Sequence, residues 1–128
     1  MKLNSNILVN LQKALNDGNT INAATHEYRG VTYVWDVVRN IEKAISLPGG
    51  IYNFGSGNTL NSYELHLKAA ELMGLKESET WIIPDNERFH DEPRNLTMDC
   101  SLIKEHGIHF CDSVEGIHEA ILRPFRTK

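Results

Sequence analysis

The sequence predicts a mixed α/β domain with a small sheet and about four to five helices. Two patterns predict this class. Apolar residues recur at helical spacing in several segments, and short runs of β-branched and aromatic residues stand between those segments. The chain has 128 residues, the usual length of one domain. We therefore expect a single domain over residues 1–128, with the element order α-β-α-β-α-β-loop-β-α-α.

The first half of the chain is predicted to form two helices, each followed by a strand. Ser5 is placed to cap the first helix and Gly18 to end it, and residues 20–24 form a strand after it. Thr32 is placed to cap the second helix, and residues 51–54 form the strand that follows. The second helix has an apolar face that we expect in the core: Val34, Val37, Val38, Ile41 and Ile45.

The second half is predicted to contain a third helix, a long polar loop and two short helices. Asn61 and Glu64 have the spacing of a capping box at the start of the third helix, and Gly74 ends it. A short strand at 81–83 precedes the polar loop, 85–94. The remaining predicted elements are a strand over 96–99 and helices near 102–105 and 114–122.

Composition and charge argue against several classes of function. Charged residues make up 23% of the chain and the formal net charge is −4, which is unlike a disordered chain or a general nucleic-acid binder. The two cysteines, Cys100 and Cys111, give no disulfide framework, so we expect free thiols in a cytoplasmic protein. No apolar run approaches the ~20 residues that cross a bilayer, and the first residues lack the apolar segment of a signal peptide.

Motifs that would carry catalysis or metal binding are incomplete. The turn at 55–57, Gly-Ser-Gly, lies between a strand and a helix, but Leu60 replaces the third glycine of a dinucleotide fingerprint. His106, His109 and Cys111 are close in sequence, yet a structural zinc site usually has two close ligand pairs. No serine lies in a G-x-S-x-G nucleophile elbow. We therefore expect no catalytic residue, no metal site and no bound cofactor, and interpret the glycine pair as a tight turn.

Two arginines are candidates for binding a phosphate. Arg29 precedes the predicted second helix, and Arg94 ends the polar loop. A guanidinium matches a phosphate with two parallel hydrogen bonds, and the amides at a helix N-terminus add to such a site. An isolated arginine is more often a solvated surface residue, so the residues alone leave both interpretations open.

Several short segments follow one another in an order typical of one enzyme family. In the segment at 29–38, an arginine precedes a strand and an aspartate opens a helix. The blocks at 50–57 and 61–65 match a strand, a turn and a helix that come next. Residues 92–99, Glu-Pro-Arg-Asn-Leu-Thr-Met-Asp, are similar to an Arg-Pro-x-Asn-Ser-x-Leu-Asp stretch, and a Gly-Ile pair follows at 107–108. Together these segments resemble the C-terminal, substrate-binding part of the dTDP-4-dehydrorhamnose reductase family of extended short-chain dehydrogenases.

The resemblance runs from residue 6 to about residue 122 and implies a sugar-nucleotide-binding domain, without the Rossmann domain of the family. The residues that it assigns to the diphosphate and nucleotide are Asn6, Arg29, Arg94 and Asn95. In the intact enzyme, NAD(P)H bound to an N-terminal Rossmann domain would reduce a keto-sugar, with a Tyr-x-x-x-Lys pair that this chain lacks. The expected partners are the nucleotide-sugar substrate and that Rossmann domain, with no nucleic acid and no membrane, and a homodimer is compatible with the family.

Three positions depart from the family pattern. Glu92 stands where the family has its first arginine, Leu102 where a lysine follows, and Ser62 where a tryptophan precedes a tyrosine. Two alternatives therefore stay open: a nucleotide-sugar epimerase or dehydratase fragment of the same superfamily, and a non-catalytic regulatory or interaction module. If a sugar nucleotide is bound, Arg29 and Arg94 should share one anion, and Glu92 should point to solvent.

We expect the isolated chain to bind NAD(H) and NADP(H) weakly or not at all, because it has no complete glycine fingerprint and no ribose-binding acid. Calorimetric titration with either cofactor should give no saturable heat at sub-millimolar concentration. Micromolar binding would contradict the prediction that the cofactor domain is missing.

Overall fold

The computed structural model describes residues 6–122, which form helices and short parallel strands. The α-helices are α1 (Ile7–Asp17), α2 (Val34–Ile45), α3 (Ser62–Leu72), α4 (Ser101–Glu105) and α5 (Ser113–Leu122), with a 3-10 turn at Ser78–Thr80. The strands are β1 (Ile21–Ala24), β2 (Glu27–Tyr28), β3 (Ile82–Asp85) and β4 (Arg94–Asn95). β1 pairs with β3 and β2 with β4, both in parallel. The predicted mixed α/β class is confirmed.

The chain divides into two compact units, each made of two stretches of sequence. Unit 1 takes the residues up to Tyr28 together with Leu60–Asn95. Unit 2 takes Arg29–Thr59 and the residues from Leu96 onward. All four strands of the described chain therefore lie in unit 1, and unit 2 is built from α2, α4, α5 and loops. Across residues 6–122, every helix falls short of the length and apolar character that a membrane crossing requires.

Unit 1 is organised around the β1–β3 pair, on which α3 packs, and α3 in turn contacts α1. Burying apolar side chains between these elements removes them from water and stabilises the unit. The buried apolar residues of unit 1 are Leu11, Ala14, Ala23, Ala24, Leu65, Ala69, Ala70 and Ile82. The predicted strands at 20–24 and 81–83 correspond to β1 and β3, and β3 continues through Pro84 to Asp85.

The ends of α1 and α3 follow from the side chains at their termini. Asn6 caps α1, because its Oδ1 accepts a hydrogen bond of 3.0 Å from the backbone N–H of residue 9. The cap is thus one residue later than the predicted Ser5, which lies outside the described residues. Gly18 ends α1 in the left-handed conformation, with φ 68°, that glycine adopts readily. Asn61 and Glu64 form the predicted capping box, with reciprocal hydrogen bonds of 2.7 and 3.0 Å.

Two predicted strands are absent from unit 2. The prediction of a strand at 96–99 is wrong, because the strand in this part of the chain is β4, which ends at Asn95. Residues 51–54 also form no strand, and Ile51 is 94% exposed. A strand is defined by hydrogen bonds to a neighbouring strand. The aromatic and β-branched residues at 51–54 have no such neighbour within residues 6–122.

Helix α2 turns its polar face, and not the predicted apolar face, toward the core of unit 2. Four of the five residues of the predicted apolar face are exposed, with Val38 at 50% and Ile41 at 52%, and Val37 is half-buried. Asp36 is 3% and Asn40 is 5% exposed. The expectation that the apolar face lies in the core is therefore wrong. The buried core of unit 2 is supplied by other apolar residues, among them Ile103, Ile108 and Ile117.

The predicted cap of α2 is also wrong. The N-cap residue is Tyr33, which makes no side-chain capping hydrogen bond. Thr32 serves another contact, since its Oγ1 accepts a hydrogen bond of 3.1 Å from the backbone N–H of Ser56. Thr32 therefore ties the start of α2 to the glycine turn at 55–57 instead of closing the helix.

The exposure of α2 predicts opposite results for two isoleucine substitutions. Ile41→Ala should change the free energy of unfolding by less than about 0.5 kcal/mol, because little apolar surface is lost from a core. Ile108→Ala should cost about 2–4 kcal/mol, because Ile108 is fully buried. Urea unfolding of both variants measures the difference, and equal losses of stability would mean that α2 buries its apolar face after all.

Candidate functional site

The loop between β3 and β4 has a defined turn at its start. The Oδ1 atom of Asp85 accepts hydrogen bonds from the backbone N–H groups of Glu87 (3.2 Å) and Arg88 (3.1 Å). The backbone N–H of His90 bonds to the Glu87 carbonyl at 3.0 Å. Phe89, between them, has a left-handed backbone with φ 60°, which is uncommon for a residue with a side chain. Phe89 therefore adopts an unfavourable conformation that the surrounding turn stabilises.

Two guanidinium groups lie over the ring of Phe89. The Cζ atoms of Arg88 and Arg94 are 5.1 and 5.5 Å from the ring centroid, within the ~6 Å reach of a cation–π attraction. The ring of His90 meets that of His26 edge to face, with centroids 5.4 Å apart. We refer to these five residues as the Phe89 cluster. All five belong to unit 1.

A buried carboxylate partly neutralises the Phe89 cluster. Glu27 lies on β2, directly opposite Arg94 of β4 in the parallel register, and its side chain is 11% exposed. Ser62 Oγ donates a hydrogen bond of 2.9 Å to Glu27 Oε1. Arg94 Nη1 lies 3.8 Å from Glu27 Oε2, too far for a hydrogen bond but close enough for charge attraction. Because the Arg94 side chain is 46% exposed, its guanidinium still reaches solvent.

The Phe89 cluster has the chemistry to bind an anion. A guanidinium provides paired donors for a phosphate, and the aromatic ring holds the guanidinium groups by cation–π attraction. Carboxylates in the same stretch oppose such an anion: Asp85, Glu87, Asp91 and Glu92. Glu92 is exposed, so solvent screens its repulsion of an anion.

The other predicted site residues are divided between the two units. Asn95 follows Arg94 on β4 of unit 1. Asn6 belongs to the same unit, and its Oδ1 is occupied by the cap of α1. Arg29 belongs to unit 2, where it is exposed and its carbonyl accepts a hydrogen bond of 3.1 Å from Asn58 Nδ2. The convergence of Arg29 and Arg94 on one anion stays a prediction.

Sequence reasoning missed most of the Phe89 cluster. His26 and Glu27 reach Arg94 through the pairing of β2 with β4, two strands of two residues each. Strands this short leave no periodic pattern in the sequence, and their pairing joins distant segments. The local signal was the run Arg-Phe-His at 88–90, which places basic and aromatic side chains side by side.

The centre of unit 2 is the buried carboxylate of Asp36, in the first turn of α2. Its Oδ2 accepts hydrogen bonds from the backbone N–H of Cys111 (3.1 Å) and from Cys111 Sγ (2.9 Å), and its Oδ1 accepts one from the Arg39 guanidinium. Burial alone raises the pKa of this carboxyl, but the hydrogen bonds from Cys111 and Arg39 outweigh it and hold the pKa below 3.8. Burial and the neighbouring Asp36 raise the pKa of the Cys111 thiol to about 12. At neutral pH the thiol is therefore a proton donor to an ionised carboxylate.

The glycine turn and the remaining cysteine serve packing contacts. A side chain at Gly55 would overlap Met98 Cε, the flexible end of that side chain, and lie 3.1 Å from Thr32 Oγ1, so a larger residue there would make both neighbours shift. The thiol of Cys100 donates to the Gly55 carbonyl at 3.1 Å. In the described part of the chain, no three histidine, cysteine or acidic side chains are grouped so that they could hold a metal ion.

Comparisons with known proteins find similarity of fold and no detectable similarity of sequence. No family model matches the chain, and no curated protein matches it. The dTDP-4-dehydrorhamnose reductase from Bacillus anthracis, solved in complex with NADP, is similar with a TM-score of 0.77 and 17% identity. The match covers 97% of this chain and 45% of that one. The Bordetella bronchiseptica enzyme WbmH, solved in complex with NAD+, has a TM-score of 0.68 and 23% identity, with 96% and 41% covered.

These matches establish the fold, and they show that this chain spans less than half the length of the similar solved chains. Both solved proteins contain a further part with no counterpart here. At 17% and 23% identity, the similarity extends to the arrangement of elements and not to individual side chains.

The network around Asp36 predicts how stability depends on pH. Because the folded state lowers the pKa of Asp36, the carboxylate stabilises unit 2 fully above its ordinary pKa of 3.8 and loses that effect as the pH falls through the lower, folded value. Asp36→Asn should therefore lower stability by about 1–3 kcal/mol at pH 7. The difference from the wild type should shrink below pH 3.8.

Urea unfolding between pH 7 and pH 2.5 measures this difference. Asp91→Asn is the matched control, since Asp91 is fully exposed and its loss should change stability by less than about 0.5 kcal/mol. A destabilisation by Asp36→Asn that stays constant over the whole pH range would contradict the assignment.

Proposed function

We propose that this chain binds a sugar nucleotide, as the substrate-binding part of an NAD(P)H-dependent protein similar to dTDP-4-dehydrorhamnose reductase. The observation that carries the proposal is the exposed guanidinium of Arg94, positioned by Glu27 and Phe89 at the end of the β3–β4 loop. The fold, similar over 97% of the chain to a reductase of that name, supports it. So does the order of the sequence segments that include Arg94.

Each site residue has a separate role in this proposal. Arg94 donates to a phosphate oxygen of the diphosphate, and Asn95 donates or accepts beside it on the same strand. Asn6 contributes through Nδ2, because its Oδ1 already accepts the capping hydrogen bond. Phe89 helps to position the two guanidinium groups through cation–π contacts.

The reaction of the proposed protein requires a part that this chain does not contain. NAD(P)H supplies hydride to a keto-sugar, and its binding and the proton donor belong to a second domain of Rossmann type. The similar solved chains are more than twice as long as the matched region and were solved with NADP or NAD+. In this division of labour, the chain described here selects and positions the substrate. An epimerase or dehydratase of the same superfamily would divide the work in the same way.

A non-catalytic interaction module is the second candidate, and the pairing of Arg94 with Glu27 favours it. An arginine whose charge is already balanced by a buried carboxylate attracts a phosphate less strongly. The carboxylates at 85, 87, 91 and 92 act in the same direction.

Titration with dTDP separates the two candidates. The wild-type chain should bind dTDP weakly, because charge-assisted contacts of ~1.5–3 kcal/mol each are offset by ordering costs. Arg94→Gln should weaken binding by about 10- to 100-fold, the equivalent of one such contact. Glu92→Gln should strengthen it slightly, because a repelling carboxylate is removed.

Lys76→Gln is the matched control, because Lys76 is an exposed cation of the same unit outside the cluster, and it should leave binding unchanged. Binding is measured by calorimetry on variants whose unfolding curves match the wild type. If a folded wild-type chain gives no heat with millimolar dTDP, the interaction module replaces the sugar-nucleotide proposal.

A further inference from the structure

Glu27 is a buried carboxylate beside the arginine of the proposed phosphate site. Its side chain is 11% exposed, and its Oε2 lies 3.8 Å from Arg94 Nη1. Its Oε1 accepts a hydrogen bond of 2.9 Å from Ser62 Oγ. Ser62 stands where the family pattern has a tryptophan, which carries no hydroxyl group. The contact between Ser62 and Glu27 is therefore a feature of this chain's own sequence.

Backbone hydrogen bonds hold the two opposite charges side by side. Glu27 and Arg94 are partners in the parallel register of β2 and β4. The backbone N–H of Arg94 donates a hydrogen bond of 2.9 Å to the His26 carbonyl. At the other end of the loop, the backbone N–H of Thr25 donates to the Asp85 carbonyl at 3.1 Å. The segment that carries Glu27 is thus tied to both ends of the loop that leads to Arg94.

The contact with Glu27 balances the charge of Arg94 without using its hydrogen-bond donors. The separation of 3.8 Å is too long for a hydrogen bond. The Arg94 guanidinium lies over the ring of Phe89, at 5.5 Å from the centroid, and its side chain is 46% exposed. Glu27 therefore lowers the net charge of the site and leaves the donors that a phosphate needs.

Burial makes the charge of Glu27 effective at the site. The exposed carboxylates of the same loop, Glu87, Asp91 and Glu92, are screened by water and salt, whereas a buried charge is screened much less. A phosphate oxygen bonded to Arg94 would lie roughly 7 Å from Glu27, which is the 3.8 Å to Arg94 plus one hydrogen bond. Arg94 attracts and Glu27 repels each negative charge on that phosphate. A second negative charge on the phosphate therefore adds little net attraction.

We propose that Glu27, held by Ser62, is a specificity-determining residue that makes the Arg94 site favour singly charged phosphoryl groups over doubly charged ones. A phosphodiester group carries one negative charge, whereas a terminal phosphate carries about two near pH 7. In a sugar nucleotide the sugar esterifies the terminal phosphoryl group, so each phosphoryl group carries a single charge. The inference rests on the proposed function for the choice of nucleotide. It adds that Glu27 favours the sugar nucleotide over the free nucleoside diphosphate.

Titrations with dTDP and dTDP-glucose at pH 8 test this selectivity, because the terminal phosphoryl group of dTDP is then doubly charged. Glu27→Gln keeps the size of the side chain and an acceptor for Ser62 Oγ, and it removes the charge. It should tighten the binding of dTDP by about 3- to 10-fold more than that of dTDP-glucose, since dTDP alone presents the second charge. If Glu27 has only a structural role, both affinities change by the same factor, and that result would overturn the inference.

Glu79→Gln is the matched control for the loss of a carboxylate. Glu79 is an exposed residue of unit 1 that precedes β3, whereas the loop that leads to Arg94 follows the opposite end of that strand. Its substitution should leave the ratio of the two affinities unchanged. A shift of that ratio as large as the one from Glu27→Gln would show that the net charge of the chain, and not the position of Glu27, sets the selectivity.

Ser62→Ala tests how Glu27 is held. Without the Ser62 hydroxyl, the Glu27 carboxylate should move closer to Arg94 and weaken the binding of both ligands by about 3-fold or more. In the Glu27→Gln background the same substitution should have a smaller effect, because no charge is left to move. An equal effect in both backgrounds would contradict the role of Ser62.

Inorganic phosphate separates this inference from the proposed function. It is mostly doubly charged at pH 8 and carries no nucleoside, so its binding reports the cation site alone. If the wild-type chain binds neither dTDP nor dTDP-glucose, the proposed function fails, and the inference still holds when Glu27→Gln binds phosphate more tightly than the wild type. If a Glu27→Gln variant that is folded by circular dichroism binds phosphate no better than the wild type, the inference is overturned.

Discussion

The carboxylate of Asp36 is the interaction on which unit 2 depends. Three donors converge on its two oxygens, two from Cys111 and one from Arg39. Removing an ionised carboxylate from water is costly unless its oxygens accept hydrogen bonds. The contacts of Asp36 therefore determine which face of α2 is turned inward. The exposure of Val38 and Ile41 is a consequence of that choice, and so is the dependence of this unit's stability on pH.

Local chemistry allowed much of the fold to be predicted from sequence. The capping box of Asn61 and Glu64 and the stop at Gly18 depend on neighbouring residues alone. The strands near 20–24 and 81–83 were predicted from local composition, although they pair with each other over a long stretch of chain. The face of α2 could not be predicted in this way. Hydrophobic periodicity locates an apolar stripe but does not say what covers it. The prediction of a strand at 51–54 is wrong for the same reason, since a strand needs a partner strand and residues 6–122 supply none for it.

The candidate site was predictable only in part. Arg94 and Asn95 were identified because they belong to a recognisable sequence segment, and the structure places both on β4. Glu27 went unnoticed, although it decides how much of the Arg94 charge is available to a ligand. Its effect arises from a parallel register between two distant dipeptides. The sequence alone identifies Arg94 as a cation, whereas the pairing of its charge with Glu27 depends on the tertiary fold.

The interleaving of the two units has a consequence for how the chain is made. Residues 29–59 of unit 2 separate the two stretches of unit 1, and β1 pairs with β3 across that insertion. During synthesis on the ribosome, β1 cannot pair with β3 until residue 85 has emerged. Until then, α1 and β1 are present without the strand that completes the β1–β3 pair. Since contacts between distant segments form slowly, the nascent chain exposes apolar surface for longer than a chain of two consecutive units would. Dividing the gene at any single point would therefore interrupt at least one unit, and neither unit can be obtained as one uninterrupted fragment.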